Sequence, residues 1–167
     1  MRSIEAMFNK YEGEHSSALA FVLMGSFMSA PFHNTGNSTR YKELFNDLAE
    51  LIDRFPRLKT NAHFIFVPGP NDPWQASGSL PIQGGPSIAA IPYRPIPYVF
   101  TNRVRRICKK VDFMTNPCRL AYFTQEIVVF RDDLCDRFFR NRLRLKQVTE
   151  FDHSKNVMIQ CPKLAKH

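Results

Sequence analysis

The chain has 167 residues, a formal net charge of +8, 44% hydrophobic content and 13% aromatic residues, with 15 Phe. That length suits one domain or a piece of a larger one, and this much apolar material excludes a charge-dominated disordered chain. No run approaches the roughly 18 apolar residues of a membrane span, and "MRSIEAMFNKYEGEHSS" lacks the basic-then-apolar layout of a secretory signal, so a soluble intracellular protein without a membrane partner is expected.

Residues 1–17 read as an amino-terminal flank. "ALAFVLM" (18–24) is a continuous apolar run closed by Gly25, the pattern of a strand buried on both faces. "APFHNTGNST" follows as a loop, with Ser38 or Thr39 able to cap a helix. From Tyr41 to Phe55, Leu44, Leu48, Leu51, Ile52 and Phe55 recur at helical spacing, with Lys42, Glu43, Asp47, Glu50 and Asp53 on the outer side. Pro56 is expected to stop that helix. "HFIFVP" (63–68) reads as a second strand, and strand–helix–strand implies a parallel pair with a right-handed crossover. Both strands end at a glycine, Gly25 or Gly69. In open α/β sheets, ligands gather at the carboxyl ends of strands.

Residues 70–97 read as a long surface loop without secondary structure, holding Trp74 as an anchor for the loop or for a partner. "YVFTNRVRRICKK" suggests a short strand and then a short basic helix. "VDFMT" (111–115), "RLAYF" (119–123) and "EIVVF" (126–130) suggest a three-stranded meander with tight links at "NPC" and "TQ". "RDDLCDRFFRNRLRL" reads as a closing helix, acidic in its first turn and basic in its last, as the helix dipole favours. Residues 147–167 form a tail without a clear period. The domain reading is thus an amino-terminal flank over 1–17, a domain over 18–146 and the tail.

Cys108, Cys118, Cys135 and Cys161 show no CxxC or CxxH spacing, which points to reduced, packed thiols rather than a zinc knuckle. The positive charge is concentrated in "NRVRRICKK" (102–110) and "RFFRNRLRLK" (137–146). Such patches attract phosphate backbones or acidic protein surfaces. Arg103, Arg105, Arg106, Arg140, Arg142 and Arg144 are therefore the candidate nucleic-acid or partner contacts.

"FVLMGSFMSAP", "FIFVPGPNDPW", "TNPCRLAYFTQEIVVFRDDL" and "RNRLRL", in this order, resemble the second (B) subunits of DNA polymerase epsilon from about Ala18 to Leu145. The string at 115–134 is the most specific part. The resemblance implies an α/β fold: an incomplete calcineurin-like metallophosphoesterase sandwich, β sheets flanked by helices, without catalysis. It implies a nuclear scaffold in DNA replication that holds the carboxyl-terminal region of the catalytic subunit. Other polymerase epsilon and replisome subunits would be further partners, with weak or indirect contact to DNA and no cofactor. It also implies a piece of a longer polypeptide, since the family's amino-terminal helical and oligonucleotide-binding-type domains and its closing strands have no counterpart here.

Active enzymes of that fold hold two metals, about 3.5–4 Å apart, with carboxylates, an Asn and several His. Where one motif of the resemblance carries Asp residues, this chain has Ser26 and Ser29. Where another reads Gly-Asn-His-Asp, it has Gly69, Pro70, Asn71 and Asp72. A neutral hydroxyl does not replace a bridging carboxylate, Pro70 offers no side-chain ligand, and Asn71 cannot protonate a leaving alkoxide as a His would. The five histidines show no ligand-like pairing. Asp72, within the turn-rich "GPNDP", reads as a turn residue rather than a remaining ligand. No catalytic and no metal-ligating residue is expected. The alternatives are a metal-dependent phosphodiesterase with atypical ligands and a stand-alone basic nucleic-acid binder.

Overall fold

The computed structural model describes residues 2–13, 19–32, 36–75, 82–83 and 91–132. The elements run α1 (Arg2–Glu12), β1 (Ala20–Met24), α2 (Ser38–Asp53), α3 (Pro56–Asn61), β2 (His63–Val67), β3 (Trp74–Gln75), β4 (Ile82–Gln83), α4 (Tyr98–Ile107), β5 (Lys110–Phe113), β6 (Cys118–Tyr122) and β7 (Gln125–Val129). The architecture is α/β. β1, β2 and β5 form a parallel sheet in the order β1-β2-β5, and β6 and β7 form a separate antiparallel pair. No described helix is long and apolar enough to cross a membrane.

The period-2 alternation of strand side chains sorts the residues of β2 into two cores. Phe64 and Phe66 join Phe21 and Phe113 of the flanking strands in a cluster built with Phe8, Tyr41, Phe45, Ile52, Leu58, Phe100 and Val104 of all four helices. Ile65 and Val67 face the other way, against Cys118 and Val129 at the base of the β6–β7 pair. The larger cluster is built from aromatic edges and faces: Phe8 meets Phe21, Phe55 and Phe64 edge-on, while Phe66 stacks on Phe113 at 4.6 Å. Edge-to-face and offset contacts suit the ring quadrupoles.

Several sequence expectations are corrected. β1 is not buried on both faces: Val22 and Met24 are 39% and 52% exposed. Among the described residues it pairs only with β2, so burial on both faces falls to the central strand. Asn37, not Ser38 or Thr39, occupies the N-cap of α2. Pro56 ends one helix but opens another, sitting at the first position of α3, where the missing N–H is no loss. The Arg57 and Leu58 amides of that first turn donate to the Glu12 carboxylate at 3.0 and 3.1 Å. This ties α1, within the segment expected as a flank, to the rest of the fold.

The expected structureless loop carries the short β3–β4 ladder and a bridge between Tyr93 and Asn116. "YVFTNRVRRI" is one helix rather than a strand and a helix, because Phe100, Thr101 and Val104 form a single buried stripe at helical spacing. The three-stranded meander is also corrected. β5 pairs in parallel with β2, and only β6 and β7 form a hairpin, turned at Phe123 with a φ of 53°. The closing helix, beyond Arg131 and Asp132, and the tail lie outside the described residues.

Candidate functional site

The two glycines that end β1 and β2 meet at the carboxyl edge of the sheet. A Cβ on Gly25 would lie 1.9 Å from Asp72 Oδ2 and 2.5 Å from the Gly69 nitrogen, and one on Gly69 would lie 2.5 Å from the Ser26 nitrogen. Neither has a left-handed φ. Their sequence role is therefore close approach of two backbones, and freedom of φ plays no part.

Asp72 is buried at 0% exposure. Its Oδ1 accepts from the Phe27 amide at 2.8 Å and the Tyr41 hydroxyl at 3.1 Å, and its Oδ2 accepts from the Gly69 amide at 2.8 Å. A turn bond from its own amide to Gly69 O, at 3.2 Å, is present as well. The carboxylate thus clamps the loop after β1, the start of α2 and the loop after β2. Burial pushes its pKa up to about 6, against the opposing pull of the Gly69, Phe27 and Tyr41 donors and the Arg131 charge. Burial, then the neighbouring carboxylate, push Tyr41 well above its ordinary value.

The other positions of the motif are also engaged locally. Ser26 Oγ accepts from the Asn71 amide at 3.2 Å, and the Asn71 carboxamide donates to Ser29 O at 3.5 Å. Pro70 is buried and Ser29 exposed. An apolar groove of about 360 Å³ runs past Ser26, lined chiefly by Ile4, Leu23, Met24, Leu44, Phe45 and Leu48. Among the described residues, its lining carries no charge that would hold a phosphate. Among the described residues, no group of three His, Cys, Asp or Glu side chains is placed to hold a metal ion. His63 pairs with Asp112 at 2.6 Å on the surface; the other four histidines lie outside the described residues.

Sequence reasoning missed two further members of the strand-end network, Asn116 and Arg131. Asn116 is fully buried. Its Nδ2 donates to Pro68 O at 2.8 Å and Arg131 O at 2.6 Å, and its Oδ1 accepts from the Arg131 amide at 3.0 Å. The Arg131 Nε then donates to Gly25 O at 2.8 Å and its Nη1 to Asp132 O at 2.8 Å. The available signal was the string 115–134, whose "TNPC" and "FR" have no role in a generic hairpin.

The basic patch is only partly open. Arg103 pairs with Glu50 at 2.8 Å. Arg105 lies 4.3 Å over the Phe113 ring and donates to Thr101 Oγ1 at 3.2 Å. Arg106 is exposed. Arg140, Arg142 and Arg144 lie outside the described residues, and only the backbone of Trp74 is described. Cys108 and Cys118 are free and buried, and burial pushes the Cys108 thiol up to about 11, which makes it a poor nucleophile.

The sequence that builds these strand ends matches subunits of DNA polymerases. The chain belongs to the B-subunit family of DNA polymerases alpha and epsilon, whose model matches residues 1–164. Within that family it is similar to the DNA polymerase epsilon B-subunit of Schizosaccharomyces pombe, with 44% identity over 142 residues that cover 85% of this chain and 22% of the relative. The Saccharomyces cerevisiae protein of the same name is 42% identical over 81% of this chain and 19% of its own length, and the Arabidopsis thaliana one 35% identical over 86% and 25%. The chain therefore spans about a fifth of the length of these curated relatives.

Proposed function

We propose that the chain forms part of a non-catalytic accessory subunit of DNA polymerase epsilon, acting in the nucleus as a scaffold on an inactive calcineurin-like phosphoesterase fold. The supporting observation is the state of Asp72. The only carboxylate among the motif positions is buried and accepts three hydrogen bonds from its own chain, so neither water nor a phosphate ester reaches it. Ser26 and Asn71 are occupied with each other in the same loops. A surface for the carboxyl-terminal region of the catalytic subunit is the expected partner site, with other replisome subunits as further partners and DNA as a weak or indirect one.

Co-purification tests the reading. The chain, placed in the full-length subunit, is expected to retain the carboxyl-terminal region of the catalytic subunit through gel filtration. Clean failure to bind sinks the scaffold reading, and manganese-stimulated phosphodiester cleavage by the purified chain sinks the non-catalytic one.

A further inference from the structure

We propose that Arg131 is the resident cation at the ends of β1 and β2, its guanidinium supplying from within the chain the positive charge that a bound metal would bring there. This rests on reading these strand ends as non-catalytic. The carboxyl ends of parallel strands gather carbonyl oxygens, and here they also hold the Asp72 carboxylate. The Gly25 and Pro68 carbonyls and the Asp72 carboxylate beside Gly25 are oxygens withdrawn from water, where a nearby positive charge counts for more than in solvent.

Arg131 meets that demand directly, through its Nε donated to Gly25 O at 2.8 Å. Gly25 is the residue whose α-carbon has no room for a Cβ beside Asp72 Oδ2, so the guanidinium and the carboxylate flank the same glycine. The charge is close enough to Asp72 to oppose its protonation.

The side chain is also pre-positioned. The Asn116 carboxamide grips both the N–H and the C=O of Arg131, and the same amide nitrogen donates to Pro68 O at the end of β2. The Asn116 backbone is fixed in turn by paired bonds with Tyr93, at 2.8 and 3.0 Å. One residue thus sets the guanidinium against β1 while anchoring it to β2. A guanidinium stays charged at every accessible pH and offers five directed N–H donors. Unlike a metal, it cannot be removed by a chelator.

The test uses the full 167-residue chain and thermal melts of wild type, Arg131→Ala, Arg131→Met and Arg131→Lys. The Ala and Met variants are expected to melt about 5 °C or more below wild type. Millimolar ethylguanidinium is expected to restore at least half of the loss in the Ala variant, which leaves space for it, and none in the Met variant, which does not. Arg131→Lys, with the charge on a single ammonium, is expected to melt between wild type and the Met variant. EDTA is expected to leave the wild-type melt unchanged.

The assignment is overturned if the Met variant melts with wild type, or if a folded Ala variant gains nothing from ethylguanidinium. It is also overturned if the Lys variant melts no higher than the Met variant, since packing of the stem would then explain the loss. A wild-type melt lowered by EDTA overturns it too. These outcomes are separate from the co-purification result, which can fail while the resident cation stands.

Discussion

On the helix-covered face of the sheet, Phe64 and Phe66 are fully buried among rings contributed by the helices and the flanking strands. One residue along the neighbouring strand, on the opposite face, Val22 and Met24 remain 39% and 52% exposed, and on the hairpin Ile127 and Val128 are 43% and 61% exposed. Both faces are rich in apolar side chains. Only the first finds its whole cover among the described residues, because four helices converge on it while the second receives only the base of one hairpin. Apolar content therefore measures how much surface seeks cover, and topology decides how much obtains it.

The largest expected effect follows from the covered face. Phe66→Ala removes a ring stacked on Phe113 and tilted against Phe27 and Phe45, and is expected to cost about 3–5 kcal/mol in urea unfolding. A loss under about 1 kcal/mol would mean that this face is loosely packed and the contrast false. Next comes Gly25→Ala, which sets a methyl against the Asp72 carboxylate and the Gly69 nitrogen. Both neighbours are clamped, so a loss of about 2–3 kcal/mol is expected; wild-type stability would show the strand ends free to separate.

Asp72→Asn is expected to cost about 1–3 kcal/mol at low pH, since the Phe27 and Gly69 amides donate to both oxygens, and an NH₂ group, unlike a protonated carboxyl oxygen, accepts from neither. The pH dependence has a definite sign. The carboxyl sits at about 6 in the fold against an ordinary 3.8, so the protonated form is the one the fold favours. The stability linked to this group is fully present below the unfolded value and is lost as pH rises through the folded one. Wild type should lose on the order of 3 kcal/mol relative to the Asn variant between about pH 4 and pH 7. Parallel stability–pH curves for the two proteins would contradict this. The smallest effect belongs to the open face, where Met24→Gln is expected to stay within about 0.5 kcal/mol. A loss comparable to Phe66→Ala would show that the two faces do not differ.

Much of the covered face was legible. The spacing of Leu48, Leu51 and Ile52 placed a helix, and the apolar runs ending at Gly25 and Gly69 placed two parallel strands and their meeting point. The candidate site was less so. Asp72 reads as a turn residue because "GPNDP" is a turn, and it does make the turn bond, but its burial depends on Tyr41, Phe27 and Gly69 arriving from elsewhere. "YVFTNRVRRI" misled because its β-branched and aromatic start imitates a strand, while the buried stripe of Phe100 and Val104 overrides that local preference.

Arg131 shows the limit most clearly. In sequence it is one basic residue before two aspartates, and its partners Gly25 and Asn116 lie 106 and 15 residues away.

By itself the sequence determined the class of fold, the glycines that end two parallel strands and the family resemblance. Each of these rests on local spacing or on residue chemistry that a single segment carries. The tertiary structure alone decided that β5 joins β2 rather than β6, that Asp72 is a buried clamp, and that the Arg131 guanidinium reaches Gly25 O. Those outcomes depend on which distant backbone donors and acceptors come within hydrogen-bond reach, and no local pattern encodes that.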